Sequence, residues 1–215
     1  MSPADSVWAA TLEQFTNRVA SASPTPGGGA VAAVTLAFGA SLAMMCLEIS
    51  KKSQDESHIQ APLHRVEEAC RIAKKCADGD ILAFDAYMAA SHLPKVTAAE
   101  RVLRDSARMT ALLKAFEAPL RGAHAAISLA EAVIESKQLI SDNLLSDWAT
   151  ALALIRAALA SLLFNVAINL QTLAKAENND ALTHEYEGFL NRADEIVNEI
   201  GLVLDGVNEQ LRVQL

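Results

Sequence analysis

Three consecutive glycines, Gly27, Gly28 and Gly29, follow Pro26 and open a long uncharged stretch. Glycine there lets a ligand or a second backbone approach closely, and the free N–H groups of a helix start favour an anion or a polar ring. A plain tight turn is the other reading of the same residues. No Gly-Lys-Ser/Thr follows and no strand precedes, so neither a phosphate loop nor a dinucleotide fingerprint is present. Further along, Asp80, Phe84, Tyr87 and Ser91 share one face at helical spacing, while Asp78 and Asp85 share another. A carboxylate among aromatic and apolar neighbours acquires a raised pKa and can move protons. Asp78 and Asp80 also fit as solvated charges flanking Gly79.

A third set lies between Asp147 and Lys175, where Arg156 is the one charge. Asp147 and Asn165 are five turns apart and face the same way, about 27 Å along a helix axis. Ser161, Asn169 and Thr172 fall near that line, which makes a polar seam in a segment that otherwise wants burial. Buried amides need partners, supplied by a neighbouring helix or by a bound polar molecule. Arg156 points to the opposite face and reads as a structural ion-pair member. The five histidines (His58, His64, His92, His124 and His184) show no metal-ligand spacing, so no metal site is expected. No Ser–His or Cys–His nucleophile arrangement is legible.

The elements that must carry these residues are helical. In 215 residues, hydrophobic types make up 52% and charged types 20%, which excludes disorder and allows a sizeable core. Aromatics are 5% and alanine about a fifth of the chain, a composition suited to helices and poor for a sandwich or barrel. Trp8, Leu12, Phe15 and Val19 stripe a first helix over 5–21, and the Pro/Gly-rich segment 21–29 breaks it. A second helix is expected over 29–53 and a third over 58–91, ending before Leu93-Pro94-Lys95. A fourth starts near Thr97, with Glu100 completing a capping box, and Pro119 kinks or splits it. After a loop over 137–143, a fifth helix covers 144–176. The run Glu177-Asn178-Asn179-Asp180 turns the chain, and a last helix runs from Ala181 to about Leu211.

In the second helix Gly29, Ala33, Ala37 and Ser41 recur every four residues as a smooth ridge for close helix contact. The expected fold is an all-α bundle of about six long, mostly antiparallel helices, one domain spanning 1–215. Its helices carry more apolar surface than one bundle hides, so a homodimer is expected. The net charge of −8 argues against nucleic acid. No charged residue occurs from Val19 to Leu47, long enough for a membrane span. Residues 21–29 are too polar and irregular for lipid, however, and 29–47 is rich in Ala, Gly and Ser, so a buried bundle helix is the better reading. Three cysteines without paired spacing and an N-terminus without a signal pattern fit a cytoplasmic protein.

Several of these pieces together resemble one family. Ser23-Pro24-Thr25-Pro26-Gly27-Gly28-Gly29 with its Ala-rich helix is similar to the opening of formiminotetrahydrofolate cyclodeaminases and methenyltetrahydrofolate cyclohydrolases. In the same order follow Asp80 ahead of Asp85-Ala86-Tyr87, Leu93-Pro94-Lys95, Pro119-Leu120, Asn143-Leu144-Leu145-Ser146-Asp147, and Phe164-Asn165-Val166-Ala167-Ile168-Asn169-Leu170. The likeness covers nearly the whole chain. Ala30 stands where the family often has Ser, and His92 where a basic residue usually precedes Leu-Pro-Lys. The resemblance implies an all-helical, dimeric enzyme acting on a tetrahydrofolate derivative, with no tightly bound cofactor. Asp80 would be its proton donor and acceptor, and Lys95 would hold the tetrahedral oxygen or pair with the acid. Pro26, Gly27, Gly28, Gly29, Asn143, Asp147, Asn165 and Asn169 would bind substrate or support the site. Lys51 and Lys52 are open to a glutamate tail or to plain compensation of a helix C-terminus. A chain of this length has no room for a fused formiminotransferase. Hydrolysis of methenyltetrahydrofolate is therefore expected ahead of cyclodeamination, with a non-catalytic folate-binding scaffold as the third reading.

Overall fold

A computed structural model describes residues 6–51, 56–177, 184 and 186–213. Among them are six α-helices: α1 (Leu12–Val19), α2 (Gly28–Ser50), α3 (Glu56–Ser91), α4 (Ala98–Glu135), α5 (Leu145–Glu177) and α6 (Glu187–Val213). The fold is all-α. Of the expected turn Glu177–Asp180, Glu177 still closes α5, while residues 178–180, the expected start of the last helix at Ala181, and Lys52 lie outside the described residues.

Neighbouring helices run antiparallel, as their cross-contacts show. Gly29 of α2 meets Asp80 of α3, while Ser41 reaches Cys70. On α3, Tyr87 meets Arg108 of α4, and Arg65 meets Glu131 and Glu135. Ala115 of α4 meets Asn169 of α5, and Val133 meets Trp148. The main core lies among α2, α3, α4, α5 and α6, around fully buried Leu36, Leu47, Leu129, Trp148, Leu152, Ile155 and Ile196. Both α2 and the segment Asp142–Ala176 are long and apolar enough to cross a membrane. In this fold α2 is a core helix wedged against α3 and α5.

Small residues set the spacing. A methyl group on Gly39 would stand 3.0 Å from Ile155 Cγ1 and 3.2 Å from the Ala151 carbonyl, so α2 and α5 touch almost backbone to backbone there. The four-residue ridge divides: Ala33 packs in a second cluster with Cys76, Ala77 and Ile81 of α3, whereas Ser41 is exposed. Close approach to α5 falls to Gly39, outside the ridge read from spacing.

Two local expectations are corrected. The first helix is not continuous over 5–21: a 3₁₀ turn, Val7–Ala9, precedes α1. Thr11 stops it by forming a capping box with Gln14, which restarts the helix at Leu12. Nor does Pro119 split α4, which runs through it. Proline lacks the N–H that would bond the carbonyl four residues back. That carbonyl, on Ala115, instead accepts Asn169 Nδ2 at 2.7 Å. Thr97 caps α4 with Glu100 as its spacing implies.

Candidate active site

The glycine loop is anchored before it becomes a helix. Thr25 Oγ1 donates to Asp85 at 3.4 Å, and Pro26 is buried after a cis Thr25–Pro26 bond. Gly27 then takes the N-cap position of α2 with no side chain to cap it. Its unpaired N–H groups need an external acceptor, and Asp80 supplies one. The Asp80 Oδ2 accepts the Ala30 N–H at 2.9 Å across 50 residues of sequence. Gly29 is what permits this: any Cβ there would overlap the Asp80 carboxylate. The glycine is required by close approach, since no glycine in the described chain has positive φ.

Asp80 therefore sits at the positive end of α2, which favours the ionised form. Burial opposes that and wins, holding the carboxyl above its ordinary range, while the Ala30 bond pulls the other way. One oxygen is committed to the backbone, the other lies against Gly29 without a protein donor among the described residues, and the residue lines a cavity. That cavity, about 230 Å³, is lined by Pro24, Thr25, Gly27, Gly28, Gly29, Asp80, Phe84, Ala115, Asn165 and Asn169. Four helices thus converge on one acid: α2 by its N-terminus, α3 by Asp80 and Phe84, α4 by Ala115, and α5 by two amides.

The two asparagines differ. Asn169 is occupied by the carbonyl that Pro119 leaves free, so it fixes the α4 wall. Asn165 Nδ2 bonds Ser161 O of its own helix at 2.8 Å and stands beside Gly28, leaving Oδ1 to the cavity. The rest of the seam satisfies itself, with Ser161 and Thr172 hydroxyls bonding carbonyls one turn back.

Other residues singled out in the sequence stand elsewhere in the protomer. Lys95 is exposed on the α3–α4 connection, and α3 alone runs about 16 Å from Asp80 to its end at Ser91. Exposed Asn143, in the turn before α5, and half-buried Asp147, in its first turn and near Cys46, lie five helical turns or more from Asn165. Burial and the nearby Asp147 charge push the Cys46 thiol up to about 11, so it is inert. Arg156 donates to Val197 O of α6 at 3.1 Å rather than to a carboxylate. Among the described residues no cluster of His, Cys, Asp and Glu could hold a metal ion. A wider cleft, about 490 Å³, lies along α3 and α4 between Gly79, Lys114, Glu117 and Arg121. It has neither a partly buried acid nor a helix N-terminus, so the smaller cavity is the candidate site.

Ala115 and Phe84 join the site through tertiary structure. Phe84 was readable as the neighbour of Asp80 on its helix face; for Ala115 the signal is Pro119, four residues on.

Residues 11–188 match the family model described as formiminotransferase-cyclodeaminase. The chain belongs to that family. A methenyltetrahydrofolate cyclohydrolase of Methylorubrum extorquens is 37% identical over 192 residues, covering 85% of this chain and 90% of the relative. A formimidoyltransferase-cyclodeaminase of Rattus norvegicus is 30% identical over 89% of this chain, which spans only 36% of that longer relative. Among solved structures, a formiminotetrahydrofolate cyclodeaminase of Thermotoga maritima superposes with a TM-score of 0.76 at 26% identity, covering 94% of this chain and 98% of its own. This member of the formiminotransferase-cyclodeaminase family thus shares the extent of the cyclohydrolase as well as the fold of the cyclodeaminase.

Proposed function

We propose that the protein hydrolyses 5,10-methenyltetrahydrofolate to 10-formyltetrahydrofolate, reversibly, with Asp80 as general base and then general acid. The observation that carries this reading is the half-buried carboxyl of Asp80, poised by partial burial and one backbone bond at the mouth of a glycine-lined cavity. The methenyl carbon is part of an amidinium cation, which a carboxylate attracts. Ionised Asp80 takes one proton from water as the new C–O bond forms, giving a neutral tetrahedral centre. It returns that proton to N5 as the C–N5 bond breaks. The remaining hydroxyl proton leaves as the formyl C=O forms on N10, so one proton is released overall. The open Oδ1 of Asn165 is available to an N–H edge of the pterin, and Gly27, Gly28 and Gly29 let the ring system lie flat on the start of α2. No tightly bound cofactor is called for, the tetrahydrofolate derivative being the substrate.

The similarity to the two cyclodeaminases favours a second reading, ring closure of formiminotetrahydrofolate with loss of ammonia through a related tetrahedral centre. Purified protein distinguishes them: loss of the methenyl absorbance above the buffer rate supports hydrolysis, and ammonia release from the formimino substrate supports deamination. A protein that binds folate and turns over neither is a scaffold, and the catalytic proposal falls.

We read residues 1–215 as one helical domain acting as a cytoplasmic homodimer. Three free thiols, Cys46, Cys70 and Cys76, suit a reducing compartment. On α5, Phe164 is 75% exposed and Ile168 58%, in line with Ala157 and Ala160, a face with the character of a subunit contact. A two-fold axis near Ala157 would bring the Asn143–Asp147 end of one α5 towards the Asn165 end of the other. That arrangement gives both motif segments a place at one site. Phe164→Glu should shift sedimentation from dimer to monomer; unchanged sedimentation would remove this face from the assembly.

A further inference from the structure

Two turns along α3 from Asp80 stands a cation with no anion in ion-pair reach among the described residues. Tyr87 is seven residues beyond Asp80 on the same face of α3, and Arg108 is seven residues before Ala115 on the same face of α4. Each step is about 10 Å along its helix. The two side chains meet there: Arg108 Nη2 donates to the Tyr87 hydroxyl at 3.0 Å, with the guanidinium carbon 5.5 Å from the ring centre. Phe84 lies between them and Asp80 on the α3 wall.

Arg108 is under-satisfied. Its Nε is the one buried side-chain nitrogen or oxygen among the described residues without a hydrogen-bond partner. No hydrogen bond from its Nη1 is found among the described residues. No carboxylate among the described residues lies within ion-pair distance; Asp105, one turn back on α4, is exposed and only raises the guanidinium pKa from afar. Arg65 and Arg71 of α3 and Arg192 of α6 do find carboxylates, and Arg104, one turn before Arg108 on α4, is held by the Ser91 carbonyl. In a chain of net charge −8, a half-buried guanidinium held by a neutral hydroxyl is fitted to receive an outside anion.

We propose that Arg108, oriented by Tyr87, binds the glutamate α-carboxylate of the substrate. This rests on the folate reading above. With the methenyl bridge at Asp80, the benzoyl ring runs along Phe84. A benzene ring and one peptide unit then place the carboxylate about 9–10 Å from the bridge, which matches the two-turn offset of Arg108. The contact is remote from the reacting carbon and equal in ground and transition states, so it belongs to binding and not to the chemical step.

The test compares methenyltetrahydrofolate with its glutamate-free counterpart, methenyltetrahydropteroate. For the wild type, KM should be about 10- to 100-fold lower with the glutamate present, at similar kcat. Arg108→Gln should raise KM for the glutamate-bearing substrate by that factor and leave the glutamate-free one unchanged, while Arg108→Lys recovers part of the loss. Tyr87→Phe should act in the same sense, more weakly. Equal KM values for both substrates in the wild type, or equal effects of Arg108→Gln on both, overturn the assignment and leave Arg108 a structural residue. Titration of p-aminobenzoylglutamate against p-aminobenzoate reads the same preference without turnover. Failure of the wild type to hydrolyse methenyltetrahydrofolate would sink the catalytic reading, whereas absence of the fragment preference would sink this one.

Discussion

Asp78 and Asp80 leave the same helix two residues apart, and their surroundings make them different reagents. Asp78 gives both oxygens to the N-terminal segment: Oδ2 accepts Ser6 Oγ at 2.7 Å and Oδ1 accepts the Val7 N–H at 2.9 Å. It holds residues 6–8 against α3, helped by Trp8 Nε1, which donates to Lys74 O. Asp80, about 200° further round the helix, meets the N-terminus of α2, keeps one bond and lines a cavity. A carboxylate with both oxygens bonded is a clasp; one half-bonded and partly buried is the candidate proton carrier.

The largest way to break this comparison is Asp80→Asn. The amide keeps an acceptor for Ala30 but cannot take a proton, so hydrolysis above the buffer rate should fall about 10³-fold. Stability should hold or rise at neutral pH. Because the folded-state pKa of Asp80 is raised, its full contribution to stability is present only below the ordinary carboxylate pKa, where folded and unfolded states are both protonated. That contribution is lost as pH rises through the folded value, and an amide removes the penalty. Chemical denaturation at pH 7 together with the rate assay checks both halves; full activity in the variant would end the distinction between the two acids.

Next in size is Gly29→Ala. The added methyl displaces the Asp80 carboxylate from Ala30 while leaving its chemistry intact, and a shift of that order should cost about 10²-fold in kcat/KM. The pH profile sharpens the point. Activity should fall about tenfold per pH unit on acidification below the Asp80 pKa, with a midpoint above the ordinary value of 3.8. Asp78→Ala should leave that midpoint in place. Its own effect should be the smallest on rate, within about threefold, and mainly on stability, about 1–3 kcal/mol lost with its hydrogen bonds. A large rate loss from Asp78→Ala at normal stability would show that the N-terminal clasp is part of the chemistry.

Local signals were strong where one helix turn settles the matter. Thr97 with Glu100 marks a helix start, and the period of apolar residues marks α2 through α5 to within a few residues. Thr11 with Gln14 carries the same kind of signal for α1, but the apolar stripe from Trp8 to Val19 runs across it and hides the break. Asn165 and Asn169 stand out as polar residues in an apolar helix, yet spacing does not say which of these two cavity-lining amides serves the neighbouring helix and which bonds its own. That answer depends on Pro119, 50 residues before Asn169, and on which side of α4 its orphaned carbonyl points.

Composition and period were enough to make this chain a helical bundle, because alanine-rich amphipathic segments have few other ways to bury their apolar faces. The glycine triplet and the aspartates of α3 were visible as candidates, because their residue types limit what they can do. Which aspartate meets the glycine loop was decided only when α2 packed on α3. The unmet N–H groups of α2 fall opposite Asp80 and not Asp78, and a pKa depends on the burial and partners that such packing creates.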